Sequence, residues 1–202
     1  MSQIALPLSA SSSGPARIVI GNANAHVAEA LAHPQNWPFG TAVLTGPPRS
    51  GKSLFGRWFA QSGSGQVLDD AHLLAEDAVF HRWNRAQEDG VPLLIIGGQP
   101  PWTIALPDLK SRLGAALQLE IGVPDDAMAG ELLLSLAQEH GLVLGPEAAE
   151  YLVPRASRSI EGLENLVKMI DRLSLERKSP PNRSIWRAAL EAVHGPEEPR
   201  LL

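Results

Sequence analysis

The eight residues Gly46-Pro47-Pro48-Arg49-Ser50-Gly51-Lys52-Ser53 carry the clearest chemistry in this chain. They satisfy G-x-x-x-x-G-K-[ST] at every fixed position, which is the spacing of a phosphate-binding loop. The two glycines let the backbone fold into a concave turn whose amide N–H groups point at phosphate oxygens. A helix beginning at Ser53 and continuing through Leu54 adds the positive end of its dipole. Lys52 is then placed to reach the β- and γ-phosphates, and the Ser53 hydroxyl to ligate Mg²⁺. A second group of residues follows at Val67-Leu68-Asp69-Asp70, a short apolar run ending in two acids. Beside a phosphate loop, Asp69 would hold the metal and Asp70 would orient an attacking water. Asp70 could instead cap the next helix, but beside a phosphate loop the metal-and-water reading is preferred. Arg112 has two readings: a solvated surface arginine, or a finger that stabilises γ-phosphate charge in a neighbouring subunit. Arg155 and Arg158 are open in the same way, as surface arginines at a helix start or as nucleotide contacts.

Hydrophobic periodicity supplies the elements that would position these groups. Residues 42–45 form a buried strand before the loop, and 53–61 a helix after it. Further strands are expected at 66–68, 91–96 and 115–121, and further helices at 25–32, 75–88 and 107–113. The stretch VPLLII at 91–96 is apolar throughout, as a strand buried on both faces requires. Beyond Pro124 only helices are expected, at about 124–139, 146–154, 159–177 and 183–193. Alternating strands and helices followed by helices alone imply an α/β domain and then an all-α one. The expected boundaries are a Ser/Gly/Pro-rich arm at 1–16, an α/β nucleotide-binding domain at 17–122, a helical domain at 123–194 and a tail at 195–202.

Composition narrows the function. The 202 residues are 44% hydrophobic with a formal net charge of -5. That balance argues against strong direct DNA binding, although a local basic patch is compatible with it. The absence of cysteine excludes disulfides, thiolate metal sites and cysteine nucleophiles. The six histidines show no paired ligand spacing. No apolar run is long enough for a membrane span. Residues 1–16 carry no charged side chain, so the basic start of a secretory signal is missing and a cytoplasmic location is expected.

Taken together, these segments resemble the DnaA-related AAA+ proteins, and within them the Hda family. RIVIGNAN, GPPRSGKS, VLDDAH, LLIIGGQPP, ALPDLKSRL and PRASRSIEGLENLVKMIDRL carry the likeness, which spans nearly the whole chain. The resemblance implies an AAA+ P-loop domain with a short parallel sheet, followed by a small all-α lid domain. It implies ADP or ATP as ligand, with Mg²⁺, and places Ile18 and Val19 against the adenine. It makes Arg112 the arginine finger and Arg158 the lid contact to nucleotide. Gln3-Ile4-Ala5-Leu6-Pro7-Leu8 is similar to the peptide by which that family binds the replicative sliding clamp, the β subunit of DNA polymerase III. Gln3, Ile4, Leu6, Pro7 and Leu8 would make the contacts. The implied role is negative regulation of replication initiation, by promoting ATP hydrolysis in DnaA, with weak or no intrinsic ATPase activity.

Three features depart from the family pattern. Asp69 follows Lys52 by only 17 positions, too few for the usual extra strand–helix unit. Four parallel strands rather than five are therefore expected. Gly97-Gly98-Gln99 follows the third strand without an evident sensor hydroxyl or Asn. The lid register is ambiguous between Glu161 and Arg158. An autonomous ATPase of the helicase-loader (DnaC-like) type is the alternative function. A small P-loop kinase is disfavoured by the helical C-terminal region and by the lack of a visible arginine cluster for a substrate phosphate. Bound nucleotide and oligomeric state, including a homodimer, stay open.

Overall fold

The computed structural model describes residues 18–194. The chain divides between Gly122 and Val123 into two compact units.

The first unit is built on four strands, β1 (Thr41–Thr45), β2 (Gln66–Leu68), β3 (Leu93–Ile96) and β4 (Leu117–Glu120). All pair in parallel, in the order β2-β3-β1-β4. Successive side chains on a strand face opposite ways, so the two central strands feed two cores. Ala42, Leu44, Leu94 and Ile96 point to one face. They meet α1 (Ala25–Ala32) through Val27 and Leu31, and α2 (Lys52–Gln61) through Phe55 and Phe59. Val43, Leu93 and Ile95 point to the other face. They meet α3 (Glu76–Asp89) through Val79 and Trp83, and α4 (Pro107–Ala115) through Leu109 and Leu113. Full burial of side chains such as Phe55 and Phe59 contributes about 2–3 kcal/mol each. That apolar driving force holds the loops at the strand ends in fixed positions.

The short span after the phosphate loop has a simple structural outcome. After α2 ends at Gln61, a turn leads directly into β2, with no strand between. β2 pairs only with β3 and forms one edge of the sheet. Deleting a strand–helix unit at an edge leaves the pairing of the other four strands intact.

The second unit contains α5 (Asp126–Glu139), α6 (Pro146–Leu152), α7 (Ile160–Glu176) and α8 (Arg183–His194). Their apolar stripes converge on Leu133, Leu152, Leu163, Val167, Ile170 and Ile185, all essentially inaccessible to solvent. Side-chain caps fix the helix starts. Asp125 accepts from the Met128 N–H at 2.9 Å, and Ser159 from the Gly162 N–H at 3.0 Å. Asn182 Oδ1 accepts from the N–H groups of Ser184 and Ile185.

Candidate nucleotide-binding site

The phosphate loop begins where β1 ends. Gly51 sits in the left-handed region at φ 91° and opens α2, its carbonyl accepting from Leu54 and Phe55 N–H groups. Arg49 is also left-handed, at φ 59°, although it carries a side chain. Strain of this kind in a non-glycine residue is sustained by the surrounding structure. The start of the loop is closely packed against its neighbours. The Gly46 N–H donates to the Gly98 carbonyl beyond β3 at 3.3 Å, and a Cβ added at Gly46 would lie 3.0 Å from the Ile121 carbonyl beyond β4. Only glycine fits there, so the loop is gripped between the ends of the two strands that flank β1.

Lys52 Nζ donates to the Gly46 and Pro47 carbonyls, at 2.9 and 2.8 Å. The ammonium thus lies across the loop's own backbone. Burial lowers its pKa below the usual lysine value, while the charges of Asp70 and then Asp69 push it up. Both acids lie near enough to the lysine to act on it electrostatically. Asp69 Oδ1 accepts the Asp70 N–H at 2.9 Å, and Asp70 is left-handed at φ 50°. Ser50 is 7% exposed, and its Oγ has no hydrogen-bond partner among the described residues. A buried hydroxyl without a partner costs free energy unless a ligand engages it. These groups fit a polyphosphate: a concave backbone, one ammonium, an orphaned hydroxyl and a helix start. Pro47 is half-buried, Pro48 is exposed, and Leu54 packs partly against the core. Ser53, half-buried in the first turn of α2, and the exposed Asp69 are the residues that would hold Mg²⁺. Mg²⁺ is commonly bound through one or two protein groups plus phosphates and water. The described residues contain no group of three His, Cys, Asp or Glu that could hold a metal.

Ile18 is buried in the core beside α1, and Val19 is half-buried next to it. Their geometry is set by Asn24, which sequence patterning does not single out. Asn24 is 4% exposed; its Oδ1 accepts the Gly21 N–H at 2.9 Å and its Nδ2 donates to the Val19 carbonyl at 3.0 Å. The signal available in sequence is an Asn directly before a helix, which reads as an N-cap. Here the side chain turns back instead and fastens the segment ahead of α1. Gly97 and Gly98 are covered by Trp102 and His72, and Gln99 is exposed.

Arg112 is half-buried near the end of α4. Its guanidinium lies 4.4 Å from the Trp83 ring centre and 5.0 Å from that of Phe80. The side chain is thus a partly exposed surface arginine that rests on two rings. At the other end of the same helix pair, the Glu76 carboxylate accepts from the Ala105 and Leu106 N–H groups, at 2.8 and 2.5 Å. α4 is therefore fixed to α3 at both ends. In the helical unit, Arg158 pairs with Asp126 at 2.8 Å, and Glu161 lies in the first turn of α7. Arg155 donates to the Tyr151 carbonyl and lies over the Tyr151 ring. Gln3, Ile4, Leu6, Pro7 and Leu8 lie outside the described residues. Among the described residues no helix is long and apolar enough to cross a membrane.

No protein-family model matches the chain. An uncharacterised protein of Haemophilus influenzae is 29% identical over 104 residues, which cover 50% of this chain and 45% of that protein. The chain thus aligns with less than half the length of this relative. Among solved structures, domain III of the Thermotoga maritima replication initiation protein DnaA superposes with TM-score 0.71 at 12% identity, over 89% of this chain and 95% of that one. AMPPCP-bound DnaA from Aquifex aeolicus superposes with TM-score 0.60 at 17% identity, over 80% of this chain and 66% of that one. These likenesses show the fold, which is a DnaA-like AAA+ fold.

Proposed function

We propose that this chain is an adenine-nucleotide-binding regulator of replication initiation of the Hda type. It binds ADP or ATP with Mg²⁺, docks on the sliding clamp through residues 3–8, and supplies Arg112 to the γ-phosphate of ATP held by DnaA. DnaA then hydrolyses its ATP and loses its initiating form. The observation that carries this reading is Arg112, a guanidinium held on an aromatic platform of the same α/β unit that carries the phosphate cradle. A finger must be pre-positioned to act on a partner's nucleotide, because catalysis draws on charge already in place at the transition state. The DnaA-like fold supports the pairing with DnaA, since AAA+ chains of one shape can stack with a finger of one reaching the nucleotide of the next. The chain acts in the cytoplasm, and its own turnover is weak.

The test is a reconstitution with DNA-loaded clamp, ATP-bound DnaA and the full chain, reading the nucleotide left on DnaA. The wild type should accelerate loss of ATP. Arg112→Ala should abolish that stimulation while keeping nucleotide and clamp binding. Arg112→Lys should restore little, because a lysine lacks the planar fork. Deleting residues 2–8 should remove clamp binding and leave ADP binding unchanged. Full stimulation by Arg112→Ala would sink the reading. Steady ATP turnover by the chain alone, dependent on Asp70 and indifferent to residues 2–8, would instead establish the helicase-loader type of ATPase.

A further inference from the structure

The helical unit gathers arginines that are scattered in sequence. Tyr151 on α6 is half-buried, and two guanidinium groups lie over its ring, Arg155 at 4.6 Å and Arg183 at 5.0 Å. Arg177, at the end of α7, joins Arg183, Arg187 and Ser184 of α8 around an open concavity of about 550 Å³ beside the same tyrosine. Arg187 is offset by Glu191, which lines the concavity and pairs with it at 3.1 Å. Arg155, Arg177 and Arg183 have no carboxylate within ion-pair distance among the described residues. Three guanidinium groups on one face, unpaired among the described residues, are unexpected in a chain whose net charge is -5.

A second observation concerns α8. Arg183 is its first residue, and its first turn contains no acid. Helix N-termini carry partial positive charge and favour acidic residues there. An arginine at that position works against the helix unless an anion sits beside it. Local choices that oppose folding preference concentrate where a protein binds something.

We propose that this face of the helical unit binds the phosphodiester backbone of nucleic acid. Arginine, serine and helix N-termini are the groups that contact phosphate oxygens along a backbone. Guanidinium groups stacked on a ring are pre-oriented, so less side-chain freedom is lost on binding. The alternative polyanion is an acidic peptide, which relies on apolar anchors for much of its affinity. Among the described residues, Ala188 and Tyr151 are the only ones lining the concavity that are not charged or hydroxyl-bearing aliphatic groups, so its apolar surface is small. The face therefore suits a ligand that offers charge alone. The contact is sequence-independent and weak in physiological salt, in keeping with the acidic chain as a whole.

The experiment uses the full chain and a fluorescent 20-nucleotide oligomer, single-stranded or duplex, with anisotropy read at two salt concentrations. Three phosphate contacts give a log–log salt slope of about 2.1 on single strand and about 2.7 on duplex, so affinity should fall about twentyfold or fortyfold from 50 to 200 mM salt. Arg177→Glu with Arg183→Glu should weaken binding at least tenfold and cut the salt effect to about threefold, the value for one remaining contact. The glutamate at position 183 suits the start of α8, so the melting temperature should stay within about 2 °C of wild type. Arg177→Gln with Arg183→Gln should lie between the two. Arg85→Glu, at an exposed site on the other unit, changes the charge in the same direction by half as much and should leave binding within about twofold. A preference for single strand or for duplex identifies the geometry read and supports the proposal either way. Equal weakening by Arg85→Glu, wild-type binding by the double variant, or equal competition by polyglutamate would overturn it.

Discussion

Replacing Lys52 with alanine separates a nucleotide cradle from a glycine-rich turn. Without nucleotide, the change removes two hydrogen bonds, to the Gly46 and Pro47 carbonyls. Each has a net worth of about 0.5–1.5 kcal/mol. The same change removes an ammonium whose lowered pKa shows a desolvation penalty. The terms oppose one another, so the apo protein should change by less than about 1 kcal/mol, or roughly 2–4 °C for a chain of this size. With ADP the outcome is different. A charge-assisted bond to phosphate is worth about 1.5–3 kcal/mol, which predicts a loss of affinity of roughly 10- to 150-fold. At ADP one hundred times the wild-type Kd, the wild type gains about 2.7 kcal/mol and melts roughly 5–11 °C higher. A variant binding about a hundredfold more weakly gains about 0.4 kcal/mol and shifts by about 1 °C. Thermal melting with and without ADP and Mg²⁺ reads both numbers in one titration. An equal ADP shift in the variant would refute the assignment. A collapse of the variant's apo melting temperature would show that Lys52 serves to tie the loop rather than to meet a phosphate.

The remaining predictions concern the support of the site and its response to pH. Asn24→Ala should destabilise the fold by about 2–3 kcal/mol in urea unfolding, because it leaves the Gly21 N–H and Val19 carbonyl without their partner in a buried setting. Asn24→Asp should recover part of this, since the acceptor for Gly21 remains and only the donor to Val19 is lost. For Lys52, a folded pKa below 10.5 means that the unfolded chain binds more protons between that lowered value and 10.5. Through this group, apo stability should therefore rise with pH across that window. ADP affinity should fall across the same window, as the ammonium loses its charge. Lys52→Met should abolish both trends. Melting curves and ADP titrations from about pH 8 to 10.5, wild type against Lys52→Met, check the opposite signs.

The features legible in sequence are those whose constraint is local. A phosphate loop is fixed by eight consecutive residues, so its glycines, its lysine and the helix after it can be read directly from the chain. The four-stranded sheet is legible for a related reason: a step of 17 positions from Lys52 to Asp69 leaves no room for another strand and helix. Arg112 shows where such reasoning stops. Phe80 and Trp83 lie some thirty residues upstream and read simply as positions on an amphipathic helix. Only the docking of α4 on α3 brings their rings to the guanidinium. The same holds for Arg155, Arg177 and Arg183, which look dispersed until the fold of α6, α7 and α8 carries them to the Tyr151 face. Asn24 escapes notice for the opposite reason, because a strong local rule offers a sufficient but wrong role for it. In the proposed finger role the guanidinium carries the charge that acts on the partner's nucleotide, and the Phe80 and Trp83 rings only hold it in place. On that argument the decisive residue is the arginine and not its platform. Trp83→Phe, which keeps an aromatic face, should preserve DnaA stimulation that Arg112→Ala abolishes.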